Sequence, residues 1–367
     1  MPQRRKSSGD CAVVGLSGGV DSSVAAMLLK DEGYQVTGVT LQLWSDPNSA
    51  GGPTGSFSDA VERAAMVARH LGIPHLVVDA GETFVREVVE YFIAEYALGR
   101  TPNPCVKCNA AVKFALLVET AQRLGASRIA TGHYARLTGA PTRLSRGSDR
   151  SKDQSYVLAQ VAAHLFEQVV FPLGGMTKGE VRQLAARRGL GNRVSKESQE
   201  ICFVPRDDHR AFLKDRLGVR PGLILDTDGR PLGHHSGTYN YTVGQRRGLG
   251  VASDEPLYVV ALDSERDEVI AGPEAESAIG SVRISDPVVH RTVRNVNTTV
   301  QLRSMGQPIP AHMTAHDTIA LEHPATGVAR GQTAVVYDGD DVILAGIIAA
   351  TERWDPQPAK PMAAGPQ

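Results

Sequence analysis

Residues Val13 to Ser23 read V-V-G-L-S-G-G-V-D-S-S, and no other stretch limits the fold of this chain so strongly. An apolar run leads into glycines and then into Asp and Ser, the pattern of a buried strand, a tight turn and the start of a helix. At such a junction, backbone N–H groups and the positive end of the helix dipole converge, which makes a site for an anion. The lysine of the G-x-x-x-x-G-K-S/T phosphate loop is missing, so that version of the motif is excluded.

The flanking sequence supports a parallel sheet wrapped by helices. Strand-like runs at Ala12 to Leu16, Gln35 to Leu43, His75 to Asp79 and Ser127 to Thr131 alternate with helical patterns at Ser22 to Asp31, Asp59 to Leu71, Thr83 to Leu98 and Asn109 to Leu124. Ser45 to Ser58 is rich in Gly, Ser and Pro and reads as a mobile loop over the strand ends, placed to act as a lid. Thr177 and Glu180 have the spacing of a capping box that opens a helix running to about Arg188. Beyond Pro205, short β-like runs dominate, with hairpin signals at Asp228-Gly229 and Asp338-Gly339-Asp340. With 367 residues the chain exceeds a single ordinary core. The expected division is a Rossmann-like α/β nucleotide-binding domain over 1–205, a small central domain over 206–280, a β-barrel over 281–352 and a disordered Pro/Ala-rich tail over 353–367.

A hydrophobic fraction of 42% and a charged fraction of 22% are those of a globular protein. No apolar run has the length of a membrane span, and no secretory apolar segment follows the basic N-terminus, so the expected location is the cytoplasm, away from membranes. The net charge of −1 gives no global pull on nucleic acid, so any such contact must come from local cations.

Four cysteines are too few for a disulfide scaffold in a chain this long. Cys105 and Cys108 lie in T-P-N-P-C-V-K-C-N at or near a helix start, where the dipole and the adjacent Lys107 are expected to lower a thiol pKa. Cys202 follows in S-Q-E-I-C-F-V. A structural zinc site lacks a second C-x-x-C pair. Cys11 reads as a small buried residue.

The glycine run resembles the S-G-G-x-D-S motif of the PP-loop ATP pyrophosphatases, which cleave ATP between the α and β phosphates to leave an adenylate. The wider set of motifs is similar to the tRNA-specific 2-thiouridylase family: G-R-T-P-N-P-C-x-x-C-N, T-G-H-Y-A (131–135), K-D-Q-S-Y-V-L (152–158), S-Q-E-I-C-F, Y-T-V-G-Q-R-R-G-L-G (241–250) and G-Q-T-A-V-V-Y-D-G-D. The resemblance implies an ATP-dependent sulfurtransferase that acts on uridine 34 of tRNAs of the lysine, glutamate and glutamine type and releases AMP and pyrophosphate. It implies ATP contacts at Gly15, Leu16, Ser17, Gly18, Gly19, Val20, Asp21, Ser22, Leu41 and Gly132, with Asp21 near Mg2+. It places Asn103, Pro104 and Cys105 beside the target base, and His133, Lys152, Asp153, Gln154, Arg303 and Gln332 toward the tRNA. In the implied cycle Cys202 carries a persulfide sulfur supplied by a cysteine desulfurase or a sulfur carrier, and Cys108 resolves it as a Cys108–Cys202 disulfide that a reductant reopens.

The chain departs from one branch of that family at Cys105, where the branch has an aspartate proposed as acid/base. The three thiols Cys105, Cys108 and Cys202 then leave open a second carrier, a 4Fe-4S cluster that holds the sulfide on an open iron. A second departure is Arg303-Ser304, where an Arg-Tyr pair is usual, so a stacking ring is missing. Candidate phosphate contacts are Arg143, Arg146, Arg150, Lys152, Lys178, Arg182, Arg187, Arg188, Arg246 and Arg247. His234 and His235 could suggest a metal, but with no matching ligand cluster they read as structural or surface residues. A PP-loop amidotransferase or amide synthetase is the competing enzyme class, and a tRNA- or zinc-binding module without catalysis is the other alternative.

Overall fold

The computed structural model describes residues 10–44, 57–190, 201–204, 208–292 and 297–355. The expected lid lies outside these residues except for its last two positions, as do the boundary at 205/206 and the tail from residue 356.

Strand β1 (Cys11–Gly15) is the centre of the first sheet. It pairs in parallel with β2 (Gln35–Gln42) on one side and β4 (Arg128–Ala130) on the other, and β3 (His75–Asp79) extends the sheet beyond β2. A hairpin, β5 (Ala135–Thr138) and β6 (Arg143–Arg146), leaves the sheet before β7 (Val169–Val170) returns to it, giving the order β3-β2-β1-β4-β7. Successive side chains of a strand point to opposite faces. Val13 therefore enters one core with Phe114, Leu117 and Ile129, while Ala12 and Val14 enter another with Val24, Leu29 and Val67. Burial on both faces is why β1 reads as a continuous apolar run.

The helix that carries the first two thiols starts earlier than the apolar periodicity indicates. It comprises Pro104–Cys108, a wide π-type turn at Asn109–Lys113, and Phe114–Arg123. Asn103 sets the start: its side-chain oxygen accepts from the backbone N–H of Cys105 at 3.1 Å and of Val106 at 3.3 Å, and Pro104 takes the first helical position. A similar wide turn, Val85–Val89, interrupts the expected helix between Gly81 and Ala97.

The middle unit is a sheet of β8 (Gly222–Leu225), β9 (Pro231–His235), β10 (Tyr258–Asp263) and β11 (Glu268–Gly272) in the order β10-β11-β8-β9. The last unit consists of β12 (Ile279–Val289), β13 (Thr298–Gln301), β14 (Ile309–Met313), β15 (Thr318–Ala325), β16 (Thr333–Asp338) and β17 (Asp341–Arg353). Pairing of β12 with both β15 and β17 closes these strands into a barrel. Both expected hairpins form, β8–β9 around Asp228-Gly229 and β16–β17 around Gly339. The combination is an α/β nucleotide-binding domain, a small β domain and a β-barrel.

The first unit and the barrel share a core. Ser145 of β6 pairs with Asp341 of β17, and Leu144 is buried with Val335, Tyr337, Val342 and Ala345. Arg146 lies 3.5 Å from the centre of the Tyr337 ring and donates to Gln301 at 2.9 Å. Among the described residues no helix is long and apolar enough to cross a membrane.

Candidate functional site

The turn after β1 is built to keep side chains away. Gly18 has φ +73°, and a Cβ there would lie 2.8 Å from Arg63 Cβ and 2.9 Å from the Ala60 carbonyl oxygen. A Cβ on Gly132, just beyond β4, would lie 2.6 Å from backbone atoms of Asp21 and Ser22. Leu16 is buried and bonded to β2 through its N–H to Val39 O at 2.8 Å, and its own carbonyl accepts from Thr40 Oγ1 at 2.6 Å. The hydroxyls of Ser17 and Ser22 lie 3.1 Å apart, and Ser22 Oγ donates to Gly19 O. The helix Val20–Asp31 starts at Gly19, which has no side chain to cap the first-turn N–H groups. Those N–H groups are donors of the kind an anion can engage. Gly15 lies against Leu117 and Thr131, and Leu41 of β2 packs partly buried between two cores.

Asp21 does not stand open. Lys178 Nζ donates to Asp21 Oδ1 at 2.8 Å and Oδ2 at 2.7 Å, and the Tyr134 hydroxyl donates to Oδ1 at 2.7 Å. Lys178 was expected on the RNA-facing surface; its side chain is instead only 7% exposed. Other expected phosphate contacts are likewise occupied within the protein: Arg143 with Asp341, Arg146 with Asp153, Arg150 with Asp340 and Arg188 with Asp31. Arg246, Arg247 and Arg303 remain exposed.

Cys105, Cys108 and Cys202 lie near enough to influence one another's charge. Cys108 is buried with Phe84, Phe92 and Val112, whereas Cys105 and Cys202 are exposed. Phe203, next to Cys202, packs edge-on to Phe84 and Phe92 and so ties Cys202 to the same cluster. All four cysteines are free thiols.

The expectation of a lowered thiol pKa does not hold for Cys108. Its burial pushes the thiol up, and this outweighs the lowering by Lys113. Cys202, open to solvent on one side and crowded by protein on the others, is pushed up to about 12, first by loss of solvation and then by Cys108. Lys107, the cation chosen from the sequence, lies over the Tyr91 ring at 5.2 Å.

The residue that sequence reasoning missed is Lys113. Burial disfavours its ammonium, but the charges of Cys108, Cys105 and Cys202 outweigh this and hold its pKa above the usual value. A π-type turn admits one extra residue, so Lys113 takes the place that an i+4 neighbour of Cys108 would have in an α-helix. An α-helical reading of the spacing hides it.

His133 connects the two halves. Its Nδ1 lies 2.7 Å from Thr131 Oγ1, and its ring stacks on Phe114 and meets Phe171 edge-on. Burial, followed by the charge of Lys113, lowers its pKa to about 3, so it is a neutral imidazole.

Several residues assigned to tRNA have structural duties. Asn103 caps the helix, and Pro104 is buried beneath it. Asp153 accepts from Arg146, Gly147 N–H and Ser155, and Gln154 Oε1 accepts from Tyr134 N–H at 2.9 Å. These two side chains therefore point into the protein, where they shape the loop that Lys152 begins. Gln332 reaches from the barrel to the Thr101 carbonyl oxygen at 2.7 Å. His235 is held by Gly237 N–H and the Asp267 carbonyl, the structural role expected of it.

Among the described residues no three His, Cys, Asp or Glu side chains are gathered to hold a metal ion. The three thiols share one electrostatic neighbourhood but, as placed, do not form a ready cage for a 4Fe-4S cluster.

A parallel sheet with a lysine-free glycine turn at its central strand defines an α/β nucleotide-binding domain of the HUP class. Family models agree: residues 10–206 match the tRNA methyl transferase HUP domain, 210–273 the tRNA methyl transferase PRC-barrel domain and 281–348 the aminomethyltransferase beta-barrel domain. The chain is 45% identical over 354 residues to tRNA-specific 2-thiouridylase MnmA of Geobacter metallireducens, an alignment covering 92% of this chain and 96% of that relative. It is 42% identical over 355 residues to the protein of the same name from Acidithiobacillus ferrooxidans, covering 93% and 99%. The chain belongs to the tRNA-specific 2-thiouridylase family.

Proposed function

We infer that this protein is an ATP-dependent tRNA 2-thiouridylase that replaces the C2 oxygen of uridine 34 with sulfur. One observation carries the reading: Thr131–Tyr134 touches both chemistries. Gly132 lies against Asp21 and Ser22 of the anion turn, and His133 feels Lys113, which feels the three thiols. Activation by ATP and attack by sulfur then share one site.

A carbonyl oxygen leaves poorly until it carries a phosphate ester. Uridine O2 therefore attacks the α phosphorus of ATP, the bond to the β-phosphate oxygen breaks, and pyrophosphate departs. Asp21 is the carboxylate suited to Mg2+, which would neutralise the phosphates when bound. Cys202 Sγ holds a sulfane sulfur from a cysteine desulfurase or carrier. The terminal sulfur attacks C2, and AMP leaves with the original oxygen. The Cys108 thiolate then attacks Cys202 Sγ; the sulfur–sulfur bond to the base breaks, the thiocarbonyl forms, and a Cys108–Cys202 disulfide remains for a thiol reductant to reopen. Exposure of Cys202 suits it to receive sulfur, and burial of Cys108 suits it to act within the protein. Lys113 favours both thiolates against the burial that raises them. The target base must leave the anticodon stack to reach this site. The exposed Arg246, Arg247 and Arg303 are candidates for phosphate contact on tRNAs of the lysine, glutamate and glutamine type, in the cytoplasm.

Cys105 raises a second reading, in which Cys105, Cys108 and Cys202 would be drawn together to hold a 4Fe-4S cluster, which would supply the sulfide. Anaerobic purification with iron and acid-labile sulfide analysis, joined to a thiolation assay on unmodified tRNA, separates the two. Activity of iron-free protein and of Cys105→Ser, with loss in Cys108→Ser and Cys202→Ser, supports the persulfide route. Activity that tracks stoichiometric iron and vanishes in Cys105→Ser supports the cluster. Thiolation by neither form, with or without a desulfurase, defeats the thiouridylase reading.

A further inference from the structure

The carbonyl of Leu16, the residue that precedes Ser17-Gly18-Gly19, is held from two strands away. Thr40 Oγ1 of β2 lies 2.6 Å from Leu16 O and 2.8 Å from His75 Nε2 at the start of β3. A carbonyl oxygen only accepts, so the single hydroxyl proton of Thr40 is committed to Leu16. The hydroxyl must then accept from His75, which fixes the imidazole proton on Nε2. The result is one directed chain of hydrogen bonds, His75 N–H to Thr40 hydroxyl to Leu16 carbonyl, that crosses the sheet from β3 through β2 to the end of β1.

The sequence makes room for this chain. Gly38 pairs with His75 in the parallel register, and residues two apart on a strand share a face, so Gly38, Thr40 and His75 lie on one face of the sheet. A Cβ at Gly38 would stand 3.0 Å from Leu16 Cδ2, so the glycine gives the Leu16 side chain its seat. Leu16 N–H donates to Val39 O at 2.8 Å, and beyond it Ser17 N–H donates to Ser22 Oγ at 3.1 Å. Both polar groups of the Leu16–Ser17 peptide are thus bound within the protein, and the plane from which the chain enters Gly18 and Gly19 is set by its own side chains. Thr40 is only 4% exposed. Without the His75 N–H its hydroxyl would keep a buried lone pair unpaired, and rotation of the side chain toward another partner would release the Leu16 carbonyl.

We propose that His75 is a positioning residue for the nucleotide turn: by donating from Nε2 it locks the Thr40 hydroxyl onto Leu16 and keeps the turn in the shape that receives ATP. His75 acts only through Thr40 and touches no substrate. Preorganisation of this kind strengthens binding because the turn need not be ordered when the nucleotide enters. The assignment rests on the ATP-dependent function proposed above.

The test is calorimetric binding of ATP, with thermal unfolding alongside, on full-length wild type, His75→Phe, His75→Gln, His75→Asn, Thr40→Val and the double variant His75→Phe/Thr40→Val. Glutamine carries its amide nitrogen as many bonds from Cβ as histidine carries Nε2, whereas asparagine stops one bond short. ATP should bind about three- to tenfold more weakly to His75→Phe and His75→Asn. His75→Gln should bind it within about twofold of wild type. Because the three groups act as one unit, the double variant should be no weaker than Thr40→Val alone, since removal of the hydroxyl already removes what His75 holds. Wild-type ATP affinity in His75→Phe, whatever its melting temperature, would make His75 a structural residue and overturn the proposal, as would a double variant whose loss is the sum of the two single losses. If His75→Phe does not fold, His75→Asn against His75→Gln carries the comparison, and equal ATP affinity in those two overturns it as well. Wild type that binds no ATP would instead defeat the function on which the proposal stands.

Discussion

The Gln332 side-chain amide donates to the Thr101 carbonyl oxygen at 2.7 Å, a bond that joins the barrel to the loop entering the thiol-bearing helix. The Thr101 N–H in turn donates to Arg330 O, so this loop is held from the barrel side on both its polar groups. The bond ties Gln332 to the loop that leads to the Asn103 cap.

Gln332→Ala should therefore slow thiolation without weakening ATP. Loss of one such bond is about 1 kcal/mol, which corresponds to a turnover drop of about fivefold. Single-turnover thiolation at saturating ATP, set beside ATP binding, checks this; an equal loss in ATP affinity would contradict it.

Thiol reactivity should separate by exposure. Iodoacetamide should label exposed Cys105 before buried Cys108 at neutral pH. Because burial raises the thiols of Cys108 and Cys202, the thiolate is scarce at pH 7 and increases toward alkaline pH. Their alkylation rates should climb by about tenfold per pH unit well below the pKa, with no plateau near pH 7. Peptide mass spectrometry of a labelling time course resolves each site, and levelling below pH 8 would refute the assignment for that thiol.

Gly132→Ala should damage the nucleotide site. The added Cβ would meet backbone of Asp21 and Ser22 at 2.6 Å, where no flexible side chain can yield. Overpacking of this kind costs about 1–3 kcal/mol. Lowered thermal stability together with at least about tenfold weaker ATP binding is expected, and wild-type ATP affinity in the alanine variant would contradict it.

His133 should make the protein acid-sensitive. Its folded pKa of about 3 is below the 6.5 of the unfolded chain, so below pH 6.5 the unfolded state binds a proton that the folded state refuses. Its contribution to stability is thus present above pH 6.5 and declines as pH falls toward 3, by at most about 1.4 kcal/mol per pH unit. Denaturant unfolding at pH 7 and pH 5 should show a smaller decline for His133→Asn than for wild type; parallel declines would exclude His133 as the source.

The readable parts of this fold were those in which local chemistry and tertiary placement agree. Val13 and Val14 had to form a strand buried on both faces, and Gly18 had to turn with positive φ, so the anion turn could be placed from residue types alone. Thr177 and Glu180 announced their helix because a capping box involves only neighbours. The misreadings arose where a partner was distant or a period changed. Lys178 looked like a surface cation because Asp21 is remote in sequence. Lys113 was hidden by the π-type turn, and the Cys108 pKa was misjudged because dipole and charge arguments omit the burial that opposes them. The β5–β6 hairpin escaped notice because its strands are short and its partner strand lies in the last unit.

That hairpin imposes an order on synthesis. Leu144 and Phe166 of the nucleotide-binding domain share their core with Val335, Tyr337, Val342 and Ala345. As the chain leaves the ribosome, the catalytic domain has all its own residues long before these arrive, and one wall of its interior stays open to water until the barrel strands close it. Domains otherwise fold as units during translation, N-terminal first. Here the first domain to be made is the last to be sealed, so a message truncated before β16 would yield a chain with its glycine turn complete and an exposed apolar wall that marks it for aggregation or proteolysis.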